Sequence, residues 1–276
     1  MTGFAHRFAV ISKARSPLCL GLDPSADLLA AWGLAQDAAG LRVFCERVLE
    51  AAGDLVGVVK PQAGFFERFG AAGMAELAWA IGQAQAQGAL CLLDAKRGDV
   101  PGTMEGYAQA LVGPGGFAAD AATLNPYLGF ESLAPAFERA RDCDAAMFVV
   151  ARSSNPGGRD LQGARHADGR RVAERLADQI AAHNAVAGPV LGVVIGATLE
   201  AEEAPLLERL GQALVLAPGV GAQGATMAQV GERFAALRGR VLPSVSRSIL
   251  RAGPDVAGLR EAILRYRDEA WGACGG

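Results

Sequence analysis

Eight short apolar runs recur along the chain, at 18–23, 56–60, 90–96, 121–125, 145–151, 190–196, 213–217 and 240–245. Each is largely apolar rather than alternating, the pattern of a strand buried on both faces in a parallel sheet. Alanine-rich segments of helical periodicity lie between or beside them, at 41–52, 73–87, 130–141, 170–186, 198–210, 222–238 and 255–267. Thr103 ahead of Glu105, Asp168 ahead of 170–186, and Thr198 ahead of Glu200 and Glu202 read as helix starts. Gly or Pro punctuates nearly every strand end. Eight such units in about 250 residues predict an α/β fold, the (β/α)8 TIM barrel. The expected layout is one domain over 1–276, with its strands between about 18 and 250 and an extra helix at 3–16 capping the barrel bottom. An open doubly wound sheet is the alternative.

Composition removes several function classes. Hydrophobic residues make up 51%, which excludes disorder. No apolar run approaches the ~20 residues of a membrane span, and Met1–Arg7 lacks a signal-peptide core. A net charge of −3 leaves no footprint for nucleic acid. The expectation is a soluble cytoplasmic protein. Its five cysteines are odd in number and form no CxxC pair, so they read as scattered reduced thiols. His6, His166 and His183 are too far apart in sequence to suggest a metal set or a Ser-His-Asp triad.

Only three of the 26 basic residues are lysine, and two of them, Lys60 and Lys96, end apolar runs. An ammonium can give up a proton where a guanidinium in practice cannot. Barrel active sites lie at the C-terminal ends of the strands, which here carry Asp23, Lys60, Asp94, Lys96, Asn125, Ser154, Pro218, Gly219, Ser246 and Arg247. Residues 94 and 96 share one face of a strand, so both side chains can point into the mouth, and Asp99 follows after Gly98. Lys60, Asp94, Lys96 and Asp99 then form an alternating charge cluster. It is either a satisfied salt-bridge network or a site, and coupled charges in a cleft mark a candidate site. Asn125-Pro126-Tyr127 reads as a strand terminator, and His166 as a solvated loop residue.

The stretch Pro218-Gly219-Val220-Gly221-Ala222-Gln223-Gly224 contains GxGxxG after a strand. A dinucleotide fold needs more βα units than the roughly 50 remaining residues supply. In a barrel, loops seven and eight form the usual phosphate site. The glycine turn with Arg247 is then a phosphate cradle, and otherwise a surface turn beside a surface arginine.

Taken together, these motifs resemble the orotidine 5′-monophosphate decarboxylase family in its longer bacterial form. The matching residues are Gly21-Leu22-Asp23-Pro24, Val59-Lys60-Pro61, Leu93 to Val100, Asn125 to Gly129, Ser154 to Gly157, Pro218 to Gly224 and Ser246 to Ile249. The resemblance implies cofactor-free decarboxylation of orotidine 5′-monophosphate to UMP, with no metal. It implies Lys96 as proton donor to C6, Asp94 and Asp99 flanking it, and Lys60 completing the relay while contacting the ribose. Asp23 would bind the ribose hydroxyls, Ser154 and Gln223 the pyrimidine, and Gln223 and Arg247 the phosphate, beside Pro218, Gly219 and Gly221. It further implies a homodimer in which Asp99 and Thr103 reach the partner's site. One departure is Ser246, where the commoner form has Gly.

The chemistry agrees with the resemblance. Loss of CO2 from C6 leaves a carbanion with no adjacent carbonyl, and the sequence encodes no evident electron sink. Such a site must stabilise developing charge electrostatically, with the Lys96 ammonium at the carbanion. Two alternatives share these motifs: a Mg²⁺-dependent sugar-phosphate decarboxylase, and a catalytically silent nucleotide-binding barrel.

Overall fold

The computed structural model describes residues 2–198 and 203–275. Its strands are β1 Cys19–Leu22, β2 Val58–Pro61, β3 Leu90–Arg97, β4 Ala121–Leu124, β5 Ala146–Arg152, β6 Leu191–Ile195, β7 Val215–Pro218 and β8 Val241–Val245. They pair in chain order, all parallel, and β1 also pairs with β8, so the sheet closes into a barrel. An open sheet is thereby excluded. Every strand coincides with an apolar run of the sequence to within about two residues at either end.

Burial on both faces explains those runs. Leu20, Leu22, Val59, Leu93, Val149 and Val193 face outward, against helices that include Ala38–Ala52, Gly70–Ala86 and Val256–Cys274. Val58, Leu92, Ala121, Phe148, Val194 and Leu216 face inward and form a second, smaller core. Asp37 and Asp255 start two of the outer helices, each carboxylate accepting a backbone N–H at 2.9 Å, from Gly40 and Gly258.

The extra helix, Phe4–Ala14, closes the N-terminal end of the barrel. Phe4 and Phe8, four apart and therefore on one face, enter the inner core, and Phe4 meets Phe148 edge-on at 5.8 Å. Arg7 ties the helix to the strand ends through the Asp120 carboxylate and the Asp144 carbonyl. With this end filled, the other mouth is left for chemistry.

Three helix starts differ from the sequence expectation. The helix after β3 runs Pro101–Leu111 with Pro in its first turn, so Thr103 lies inside that turn rather than capping it. Asp168 accepts the Arg170 N–H within a loop, and the next helix, Val172–Ala187, starts at Arg171, whose N–H is taken by the Glu174 carboxylate at 2.7 Å. The segment expected at 222–238 becomes helical only at Met227, behind a Thr226–Gln229 capping box. The start at Thr198 involves Glu200 and Glu202, which lie outside the described residues; the helix there is described over Ala204–Glu208.

Candidate active site

A cleft of about 260 Å³ opens at the C-terminal ends of the strands. It is lined by Asp23 beyond β1, Lys60 on β2, Asp94 and Lys96 on β3, and Ser154 beyond β5. Pro218, Gly219 and Gln223 come from the end of β7 and its turn, and Ser246 and Arg247 follow β8. Sequence positions up to 224 apart thus meet in one cavity because each ends a strand of the same closed sheet.

The Asp94 carboxylate is held from both sides. Lys60 Nζ donates to Oδ2 at 3.0 Å and Lys96 Nζ to Oδ1 at 2.5 Å. The two lysines are unequal: the side chain of Lys60 is 5% exposed and that of Lys96 is 45% exposed, reaching into the cleft. Burial by itself would raise the Asp94 pKa, yet the two ammonium groups hold it well below the usual carboxylate range. Burial likewise disfavours the charged form of Lys60, and the carboxylates of Asp94 and Asp23 more than offset it, so the ammonium is held above its ordinary value. The result is a buried carboxylate held by two lysines, one of them buried with it and the other reaching into the cleft.

The wall opposite these charges is apolar, built from Val150, Val194 and Leu216 on β5, β6 and β7. At the mouth, Ser154 Oγ donates to Gln223 Oε1 at 3.1 Å, joining the loops beyond β5 and β7. Two buried oxygens lining the cleft, Asp23 Oδ1 and Ser246 Oγ, have no hydrogen-bond partner among the described residues. Buried polar atoms are normally satisfied, so Asp23 Oδ1 is suited to accept from a ligand's hydroxyl or N–H, and the Ser246 hydroxyl to donate to a ligand oxygen or accept from a donor. The departure at Ser246 is accommodated by Gly21, where a Cβ would sit 2.5 Å from that of Ser246.

The glycine turn closes on itself before the helix. Gly221 N–H donates to the Ala225 carbonyl at 2.8 Å, and Val220 bridges Ala225. Gly221 has φ +77°, and a Cβ there would meet Ser248 Oγ at 2.2 Å, so its role is to shape the turn; it does not line the cleft. Arg247 is exposed at the cleft edge, and its guanidinium makes no hydrogen bond or ion pair among the described residues.

Asp99 and Thr103 do not line the cleft of their own chain. Asp99 accepts the Val100 N–H at 2.8 Å, and Thr103 is exposed. Gly98 gives space there rather than a turn: a Cβ would lie 2.0 Å from the Asn125 carbonyl oxygen. Asn125 Oδ1 accepts the Tyr127 N–H at 3.1 Å, consistent with a strand terminator, and His166 is exposed.

Sequence reasoning missed Thr123, Gln62 and the apolar wall. Thr123 is the one polar side chain in the run Ala-Ala-Thr-Leu, a signal that was present but unread. Gln62 Nε2 donates to the Asp94 carbonyl at 3.1 Å. Among the described residues, no group of three or more His, Cys, Asp or Glu is arranged to hold a metal ion, and no helix is long and apolar enough to cross a membrane.

Comparisons with known proteins agree on one family. Residues 16–262 match the profile of the orotidine 5′-phosphate decarboxylase / HUMPS family. A Myxococcus xanthus orotidine 5′-phosphate decarboxylase is 51% identical, over 95% of this chain and 93% of that protein. One from Streptomyces coelicolor is 46% identical, over 98% of this chain and 97% of that protein. A crystal structure from Streptomyces avermitilis assigned to the same activity superposes with a TM-score of 0.93 at 45% identity, covering 99% of this chain and 96% of that one.

Proposed function

This chain belongs to the orotidine 5′-phosphate decarboxylase / HUMPS family and is a carboxy-lyase converting orotidine 5′-monophosphate to UMP in pyrimidine biosynthesis, and we propose that Lys96, Asp94, Lys60 and Asp99 perform its chemistry. The observation that carries this assignment is the grip of two ammonium groups on one buried carboxylate, with the more exposed lysine facing the cleft. The pyrimidine lies with C6 toward Lys96. Its opposite edge packs on Val150, Val194 and Leu216.

As the C6–carboxylate bond breaks, its electron pair stays on C6 and CO2 leaves. The Lys96 ammonium stabilises that charge and then delivers its proton to C6. Asp94 keeps Lys96 aimed, and Lys60 keeps Asp94 ionised. Asp23 takes the ribose hydroxyls, using its unpartnered oxygen. Ser154 and Gln223 take the base; Gln223, Arg247, Ser246 and the turn containing Pro218, Gly219 and Gly221 take the phosphate. Binding energy from that remote dianion serves the reacting centre.

The same reading makes the chain one catalytic domain over 1–276, in the cytoplasm, working as a homodimer without a cofactor. Its cysteines are unpaired thiols, as a reducing compartment keeps them. Asp99 and Thr103 serve the partner's site; both lie outside their own cleft, and Val100, between them in the chain, is an exposed apolar side chain.

The test is turnover of orotidine 5′-monophosphate by the purified protein, with and without exhaustive chelation, beside a Lys96→Ala variant. Full activity in chelator and none in the variant is the expected result. Activity lost to chelator and restored by Mg²⁺, or retained by Lys96→Ala, would overturn the reading.

A further inference from the structure

Thr123 is a fully buried residue on an otherwise apolar strand, and its hydroxyl both donates to and accepts from β3. Oγ1 donates to Asp94 Oδ1 at 2.8 Å and accepts the backbone N–H of Lys96 at 2.9 Å. The pairing of β3 with β4 explains why it is needed. Leu93 stands opposite Ala122, but Arg97 stands opposite Leu124, so β3 places three residues where β4 places only Thr123. Asp94, Ala95 and Lys96 therefore bulge out of the ladder with β4, while Asp94 still bridges Gln62 on the β2 side. Lys96 turns through φ +47°, a conformation that costs a residue with a side chain. Its N–H, carried away from any strand carbonyl, finds Thr123 instead.

We infer that Thr123 is a positioning residue: its hydroxyl holds the β3 bulge in register and so fixes both the Asp94 carboxylate and the direction in which Lys96 leaves the strand. The inference rests on the reading of Lys96 as the proton donor. In an unbulged strand Lys96 would stay extended and its N–H would rejoin the ladder, which moves Cα and the root of the side chain. Thr123 does not line the cleft, so it acts through β3 and not on the substrate. Bulges commonly re-aim a side chain beside an active site.

The variants are Thr123→Val, which keeps the shape and removes the hydroxyl, and Thr123→Ser, which keeps the hydroxyl and removes a methyl. Displacement of a reacting group by about 1 Å costs on the order of 10²-fold in rate. Thr123→Val should therefore lose about 10²-fold in kcat, with KM and the Kd for UMP within about threefold of the parent. Thr123→Ser should recover kcat to within about fivefold. Near-parental kcat in Thr123→Val would overturn the inference. So would equal loss of kcat in both variants, which would assign the effect to packing. Should Thr123→Val fail to fold, Thr123→Ser and Thr123→Ala decide: retained kcat in the serine variant and loss in the alanine variant supports the role, and any other pattern overturns it. Lys96→Ala, run alongside, separates the two readings. If it stays active the assignment of Lys96 fails, whereas if it is dead while Thr123→Val is active only the positioning role fails.

Discussion

Lys60 holds the Asp94 carboxylate at 3.0 Å in a place where neither side chain exceeds 8% exposure. Removing one member strands the other. Asp94→Asn leaves a buried ammonium whose remaining nearby carboxylate is Asp23. Breaking a buried pair costs about 3–5 kcal/mol, and with Asp23 still present the loss should be about 3 kcal/mol. Lys96 adds less to that figure because nearly half of its side chain is open to solvent, which screens its charge. Decarboxylation should drop by at least about 10²-fold. Denaturant melts and a turnover assay on one preparation check both; an Asn variant as stable as the parent would mean that the pair contributes nothing net to the fold.

The same pair sets a pH signature. Asp94 titrates lower in the folded chain than in the unfolded one, where an aspartate sits at about 3.9. Its contribution is therefore complete above that value and is lost as pH falls from it toward the folded value. Lys60 is shifted the other way, so its contribution is complete below about 10.4 and is lost only as pH rises through the higher folded value. The stability gap between the parent and Asp94→Asn should be flat from about pH 5 to 9 and shrink below about pH 4. Urea melts at pH 3 and pH 6 suffice, and an equal gap at both would contradict the assignment of a depressed pKa to Asp94.

Arg247 stands exposed at the cleft edge, where it can meet a phosphate dianion. Arg247→Ala should depress kcat/KM for the nucleotide by about 10²-fold or more, and that for the phosphate-free nucleoside within about threefold. Equal losses on both substrates would show that Arg247 does not touch the phosphate.

Asp99 can be tested by mixing two inactive variants, Lys96→Ala and Asp99→Asn, under subunit exchange. If Asp99 serves the partner, each heterodimer carries one intact site. Random pairing gives roughly half heterodimers, so about a quarter of all sites should recover. No recovery, with exchange verified by mass, would put the whole tetrad in one chain.

Where the sequence was informative, a local pattern had a single physical meaning. Runs such as Leu-Cys-Leu-Leu and Ala-Met-Phe-Val-Val suit a strand covered on both faces, and each became one. Lys60, Asp94 and Lys96 were legible because charge at the end of an apolar run has few explanations. What stayed hidden was register. The extra length of β3 opposite Thr123 depends on how two strands slide past each other, and nothing within either run encodes that offset. Helix starts failed for a related reason. Asp168 is a sound cap by type, yet Arg170 claims its carboxylate, and the cap passes to Arg171 and Glu174.

The hoop of the barrel is also a constraint in time. Cys19 finds its second neighbour in Ser244, and Phe4 and Arg7, near the start of the chain, rest on Phe148, Asp120 and Asp144. A nascent chain emerging from the ribosome therefore carries β1 with one edge bare until β8 has been made. The plug helix must likewise wait for the middle of the barrel before its aromatic face has anywhere to go. Contacts so distant in sequence make folding slow, and an unpaired apolar edge held open that long favours association with other chains. Completion of β8 is thus the step that closes the hoop, and a truncated translation product lacking it would keep that bare edge and be a liability to the cell rather than a weaker catalyst.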